Sequence, residues 1–372
     1  MRPHIVNLGN DGLLSAEGKY GTSRDDVRNI VQNDLPRIAG AWKTKRVLLY
    51  AHGGLVSATA AVQRVAEYRE ALLGAEVYPL AFIWHSDYWT TLGNILSEGL
   101  RQRRTEGFLD SAKDFMLDRL DDLLEPIARR LTGKAEWDEM KENAEGATKD
   151  GGGGLAVIDE LTTLKRRAGF KDLEIHIVAH SAGSILMGSL VKRLTAERQP
   201  IATCTLWAPA CTMDFFHQTY GAALDLPAGE RRLGRVSLFT LTDEAEQDDN
   251  CAQIYHKSLL YLVSNAFEAQ SRIPVLRPDG TAILGMEKFI ARDQKLGALI
   301  KAGLVEWIKA PNPDAPGSDT ASRATHHGDF DDDRPTVRAT LARIVGRRTQ
   351  PDAFRFHRSG RALRDRRMQL RF

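Results

Sequence analysis

Cysteine is nearly absent: Cys204, Cys211 and Cys251 are all that 372 residues contain. An odd count without metal-type spacing excludes a disulfide framework and a zinc ribbon, and fits reduced thiols in a cytoplasmic compartment. Cys204 alternates with apolar neighbours through Ile201–Trp207, which is a core pattern. Net charge is nearly absent too. At +2, from 51 basic against 49 acidic residues, it gives the molecule as a whole no drive toward nucleic acid or a membrane surface. No apolar run reaches the length of a membrane span, and Met1–Asn7 lacks the apolar core of a secretory signal. The expectation is therefore a cytoplasmic protein with no transmembrane segment and no nucleic-acid partner. Apolar and charged fractions of 42% and 27% set disorder and fibrous classes aside.

What the sequence has is a rhythm. Arg46–Ala51 is short, apolar and β-rich and stops at Gly53-Gly54, as a buried strand feeding a tight loop does. Near-helical spacing follows from Ser57 to about Leu73, then a strand over Glu76–Trp84 in which Pro79 is expected to bend the beginning. After an interruption, a helix is expected near 155–168, a strand over Leu173–Val178, a helix from Ala182 to about Thr195 and a strand over Ile201–Trp207. A further strand over Arg235–Leu241 leads to a helix near Tyr255–Glu268, a last strand at Leu304–Ile308 and a closing helix at Thr336–Val345. Such alternation with fully apolar strands predicts an α/β fold: a mostly parallel central sheet with helices on both faces. Ligands of such sheets bind where the strand C-termini line up.

The stretch Ile175–Leu186 reads as strand, abrupt turn and helix, with Ser181 at the turn. A serine held there is strained so that its hydroxyl stands above the sheet edge, and crowding demands small residues two positions to either side. Ala179 and Gly183 meet that demand, although alanine replaces the usual first glycine. The helix beginning after Ser181 points its positive end at the reacting atoms. A serine that merely caps a helix would give a similar local pattern.

Around Ser181 the chain resembles the α/β-hydrolase superfamily, from about Arg46 to Gly346, by order of elements rather than close identity. The resemblance implies an α/β-hydrolase fold over 1–350 and no cofactor or metal. It also implies, in chain order, an oxyanion loop, serine, acid and histidine. His52-Gly53-Gly54-Leu55 looks like the His-Gly oxyanion loop of lipases and esterases, whose glycines let backbone N–H groups approach a developing oxyanion. The expected donors are Ala182 N–H and one from the Gly53–Gly54 loop, with Gly54 and Leu55 both open. His52 is expected to brace the loop. Asp243, just beyond the strand Val236–Leu241, is the expected acid, with Glu244, Asp248 and Asp249 as competitors. In Thr325-His326-His327-Gly328-Asp329, His327 is favoured over His326 as general base. A metal site from His326, His327, Asp329 and Asp331 is the rival reading of that segment.

Trp84, His85 and His180 are expected at the pocket wall with His52 and Leu55. A helical insertion at about 87–150 falls where a cap would shape access. Tyr88, Trp89, Leu92 and Ile95 at its root are candidates for an apolar acyl pocket. The Gly151–Gly154 run reads as a flexible joint. The arginine-rich tail 351–372 is a solvated terminus or a contact for a nucleic acid, an anionic lipid surface or an acidic protein partner. The function expected is hydrolysis of a carboxylic ester through a Ser-His-Asp triad. An amide, peptide or thioester substrate, or a non-catalytic interaction module, are the alternatives.

Overall fold

The computed structural model describes residues 1–54, 58–84, 94, 121, 124–251, 254–273 and 276–346. Seven strands follow in chain order: β1 Ile5–Leu8, β2 Arg46–Ala51, β3 Val77–Trp84, β4 Glu174–His180, β5 Thr203–Trp207, β6 Val236–Leu241 and β7 Val305–Ala310. They form one sheet ordered β1-β3-β2-β4-β5-β6-β7, and every pairing is parallel. Strand β4 is fourth of the seven. The helices that position the site are α1 Ala58–Gly74, α2 Lys134–Gly146, α3 Gly153–Leu164, α4 Gly183–Ala196, α5 Asp243–Gln247 and α6 Arg334–Val345.

Period-2 alternation splits each strand between two cores. Val47, Leu49 and Ala51 of β2 face one core, into which α3 sends Val157 and Leu161 and α4 sends Leu186 and Leu190. Leu48 and Tyr50 face the other, filled by Val65 and Leu72 of α1 and Leu341 and Ile344 of α6. Both faces are thus covered, which is why the strands are apolar throughout. The α/β class expected from the rhythm is what the chain has, and the sheet is wholly parallel rather than mostly so.

Pro79 lies inside β3, opposite Leu48 of β2. Pairing of β3 with β1 begins only at Ala81, opposite Ile5, so on that side Pro79 stands outside the ladder, where its missing N–H is tolerated.

The glycine run is not a flexible joint. Gly152 caps α3, and Gly153 and Gly154 are buried in its first turn. A Cβ on Gly153 would lie 2.3 Å from Leu8 Cδ2, and one on Gly152 would lie 2.3 Å from the Ala147 carbonyl oxygen. The run exists for close approach. Gly151, at φ 85°, makes the turn that α3 needs.

Residues 124–150, the described end of the 87–150 stretch, are tied to the rest of the chain. Glu268 Oε1 accepts Trp137 Nε1–H at 2.7 Å and its Oε2 accepts Lys141 Nζ at 3.0 Å, both from α2. Buried Glu125 accepts Tyr255 Oη–H and Asn265 Nδ2–H, each at 2.8 Å. His85, Tyr88, Trp89, Leu92, Ile95, Leu55 and the tail 351–372 lie outside the described residues. Among the described residues, no helix is long and apolar enough to cross a membrane.

Candidate active site

Strand β4 ends at His180 and α4 begins at Gly183, which leaves two residues to reverse the chain. Ser181 takes the strain with φ 52°, in the left-handed region, a conformation L side chains adopt at a cost. The turn is fixed on both sides. Ser181 N–H donates to the Trp207 carbonyl at 2.9 Å. The Ser181 carbonyl accepts Ser184 Oγ–H at 2.7 Å and Ala210 N–H at 3.1 Å.

The small residue after the serine has a direct cause. A Cβ on Gly183 would lie 2.5 Å from the Ala51 carbonyl oxygen and 2.8 Å from that of His52. The first turn of α4 therefore presses on the loop after β2. That loop lies against the serine: a Cβ on Gly53 would come within 3.2 Å of Ser181 Cβ. One on Gly54 would meet Ala182 Cβ at 3.2 Å and Met140 Sδ at 2.5 Å. Met140 brings α2 into contact with the same loop.

His52 is buried, with Nδ1 2.7 Å from the Gly53 carbonyl oxygen and Nε2 accepting Trp84 N–H at 3.4 Å. These partners require the neutral ring with its proton on Nδ1. Burial agrees, pushing its pKa down to about 4. The Trp84 indole N–H donates to the His52 carbonyl at 3.2 Å. Both residues therefore brace the loop.

His327 lies on the segment between β7 and α6. Its Nε2 is 2.8 Å from Ser181 Oγ. His180 Nε2 donates to the His327 carbonyl at 2.9 Å, and the two rings stack with centroids 5.5 Å apart. Burial, then the neighbouring His180, push the His327 pKa down to about 3, with Asp331 and Asp329 opposing. The ring is neutral at physiological pH. His326 turns away, its Nδ1 3.1 Å from Asp329 Oδ2. Among the described residues, no three His, Cys, Asp or Glu side chains gather as a metal set.

Asp243 does not meet the histidine. Its Oδ1 accepts Tyr261 Oη–H and its Oδ2 accepts Gln247 Nε2–H, both at 2.7 Å. The cause is local. Thr242 Oγ1 accepts Ala245 N–H and starts α5 immediately after β6, so Asp243 becomes the first residue of a helix. Asp249, beyond that helix, is the carboxylate that meets the His327 main chain. Its Oδ2 accepts His327 N–H at 2.8 Å and its Oδ1 accepts Asn250 N–H at 2.7 Å. Burial raises the Asp249 carboxyl and these two N–H groups lower it. Glu244 and Asp248 are exposed. Nδ1 of His327 is buried and has no hydrogen-bond partner among the described residues.

An apolar cavity lined by Leu48, Tyr50, Val65, Trp207, Leu341 and Ile344 lies between α1, α6 and the sheet, apart from Ser181 and His327.

No family model matches the chain, and no curated protein matches it. Among solved structures it is similar to LpqC, a poly(3-hydroxybutyrate) depolymerase from Bordetella parapertussis. That alignment has 14% identity over 73% of this chain and 76% of that one, with a TM-score of 0.29. It is also similar to an uncharacterized protein from Pseudomonas aeruginosa, at 10% identity over 82% of this chain and 46% of the other, with a TM-score of 0.26. Both likenesses are distant, and the chemistry is read from the residues themselves.

Proposed function

We propose that this chain is a serine hydrolase of the α/β-hydrolase type that cleaves a carboxylic ester through an acyl-enzyme on Ser181. One observation carries the reading: a serine at φ 52° on the tip of a central parallel strand, with a buried imidazole nitrogen 2.8 Å from its hydroxyl. A capping serine needs neither the strain nor the histidine.

In this reading Ser181 Oγ attacks the ester carbonyl carbon as His327 Nε2 takes its proton. The carbonyl π electrons move onto oxygen, where N–H groups of Ala182 and the Gly53–Gly54 loop stabilise the oxyanion. Collapse breaks the C–O bond to the alcohol, which leaves with the proton held on His327. Water then repeats the sequence on the acyl-enzyme, giving the acid and free Ser181. Asp249, rather than Asp243, is the acid, because its carboxylate already lies on the His327 main chain. Its role is to hold the His327 main chain, and with it the imidazole, in place beside Ser181. Met140, packed on Gly54 and beside Ala182, gives the site an apolar wall suited to a small or medium acyl chain.

The test is labelling with a fluorophosphonate, comparing the wild type with Ser181→Ala, followed by a panel of ester, thioester and amide substrates. The wild type is expected to label, the variant not, and esters to turn over fastest. Equal labelling of the two would overturn Ser181 as nucleophile, and folded wild type that neither labels nor hydrolyses any substrate would overturn the enzyme reading.

A further inference from the structure

The segment carrying His327 is gripped a few residues downstream by a helix from another part of the chain. Arg64 of α1 is almost wholly buried, at 6% exposure. Its Nε lies 3.3 Å from a carboxylate oxygen of Asp331. Its Nη1 pairs with Asp332 and lies 3.4 Å from Glu67 on its own helix. One turn further along α1, Tyr68 donates its hydroxyl proton to the Asp331 carbonyl, and Arg64 lies over the Tyr68 ring at 5.9 Å. Asp331 is itself buried.

A buried guanidinium is costly to desolvate, and a well-packed apolar side chain would fill the same space more cheaply. What an ion pair adds is geometric definition, since the planar fork accepts few arrangements of its partners. Here the definition falls on one place. Asp331 is four residues from His327. The backbone around His327 is closed into a tight turn by Asp329, whose Oδ2 accepts the N–H groups of Thr325 and His326 at 3.0 and 2.9 Å and whose carbonyl accepts Asp332 N–H at 2.8 Å. Moving Asp331 therefore moves the imidazole. Helix α1 also follows the Gly53–Gly54 loop in the chain, so the contact ties the element after the oxyanion loop to the segment of the base. The Asp331 carboxylate acts on both rings, opposing the lowering of His52 and of His327.

We propose that Arg64 and Tyr68 are positioning residues for His327, fixing its segment through Asp331 and Asp332 so that Nε2 stays in register with Ser181 Oγ. The inference rests on the serine-hydrolase reading.

The experiment measures fluorophosphonate labelling of the full chain as a rate at saturating probe and a half-saturating concentration, with a thermal melt alongside. Tyr68→Phe removes one hydroxyl and keeps the packing. It is expected to label about tenfold or more slowly at saturation, with the half-saturating concentration unchanged, at temperatures where the protein is fully folded. Arg64→Lys, which keeps charge without the fork, is expected to slow labelling as well, and Arg64→Met to slow it most. Leu72→Ala, on the same helix but away from the segment, is expected to lower the melt and leave the labelling rate alone. Folded Tyr68→Phe and Arg64→Lys proteins that label at the wild-type rate would overturn the inference, whatever their melts. Wild type that does not label would instead overturn the hydrolase reading on which the inference stands.

Discussion

His180 and His327 stack at 30° with centroids 5.5 Å apart, and His180 Nε2 donates to the His327 carbonyl. His180, next to Ser181, thus holds the His327 main chain at its carbonyl, while Asp249 holds it at its N–H. Two imidazoles this close cannot both become charged without repulsion, and His180 is one of the groups that depress His327.

In the proposed reading, that depression sets the acid limb of the pH profile. The base is active when neutral, and its pKa lies near 3. kcat/KM on a chromogenic ester should therefore hold its plateau far below the ordinary histidine range and fall only as pH approaches that value. His180→Gln, which keeps a donor but not a second imidazole, should move the limb upward. A wild-type limb at the ordinary value of 6.5 would contradict this. The same shift bears on folding. Native His327 binds fewer protons than the unfolded chain between about 3 and 6.5, so its contribution to stability is lost as pH falls through that window.

Asp249 and Asp243 separate by mutation. Asp249→Asn should lower kcat by about a hundredfold or more with little change in KM, because the His327 main chain loses its ionic acceptor and the imidazole its placement beside Ser181. Asp243→Asn disturbs the contacts to Tyr261 and Gln247 and should leave kcat within about twofold, with any cost appearing in the melting temperature. Steady-state kinetics on both variants decide, and the reverse ranking would restore Asp243.

Two glycines at the site should fail differently. In Gly183→Ala the added methyl meets main-chain oxygens of Ala51 and His52, which cannot yield without opening the site, so labelling should be lost. In Gly54→Ala it meets the Met140 thioether, a flexible side chain. The expected destabilisation is about 1–3 kcal/mol, part of it relieved in Gly54→Ala/Met140→Ala. Denaturant melts of the four-member cycle would show that coupling, and strict additivity would argue against the contact.

Glu246 is buried and bonded to the Ser258 hydroxyl, and burial pushes its pKa up to about 8. Between its ordinary 4.5 and that value the native state holds a proton that the unfolded chain has lost. This group therefore costs stability as pH rises, by up to about 1.4 kcal/mol per pH unit. Glu246→Gln should flatten that part of the profile, seen as a wild-type-minus-variant difference in urea midpoints that grows with pH. A constant difference would count against the shift.

Most of the sheet was legible because its strands are apolar runs ending at glycine or at a polar turn. β2 was read to the residue and β6 to within one, while β4 and β7 run two residues further than their patterns. β1 went unread: four residues between a proline and a glycine carry too little pattern to announce a strand, and only pairing with β3 makes them one. Ser181, His327 and the His52–Gly54 loop were legible as types in chain order, which is what a sequence conveys about a turn. Which carboxylate meets the His327 segment was not. Asp243 and Asp249 both follow β6, and only the short helix started by Thr242 turns one toward Tyr261 and leaves the other for His327. Arg64 and Tyr68 carried no signal, since a charged residue on a helix reads as solvated until its partner, more than 260 residues away, is brought beside it.

The place of β4 in the sheet has a further consequence. Sheets loosen from their margins inward, and hydrogen exchange ranks strands by how many neighbours must part before each is exposed. With three strands on either side, the segment leading to Ser181 should exchange its amide protons last, through global unfolding alone. Partial opening at β1 or β7 would then leave the serine in place, so inactivation on gentle heating should follow loss of the whole fold and not precede it.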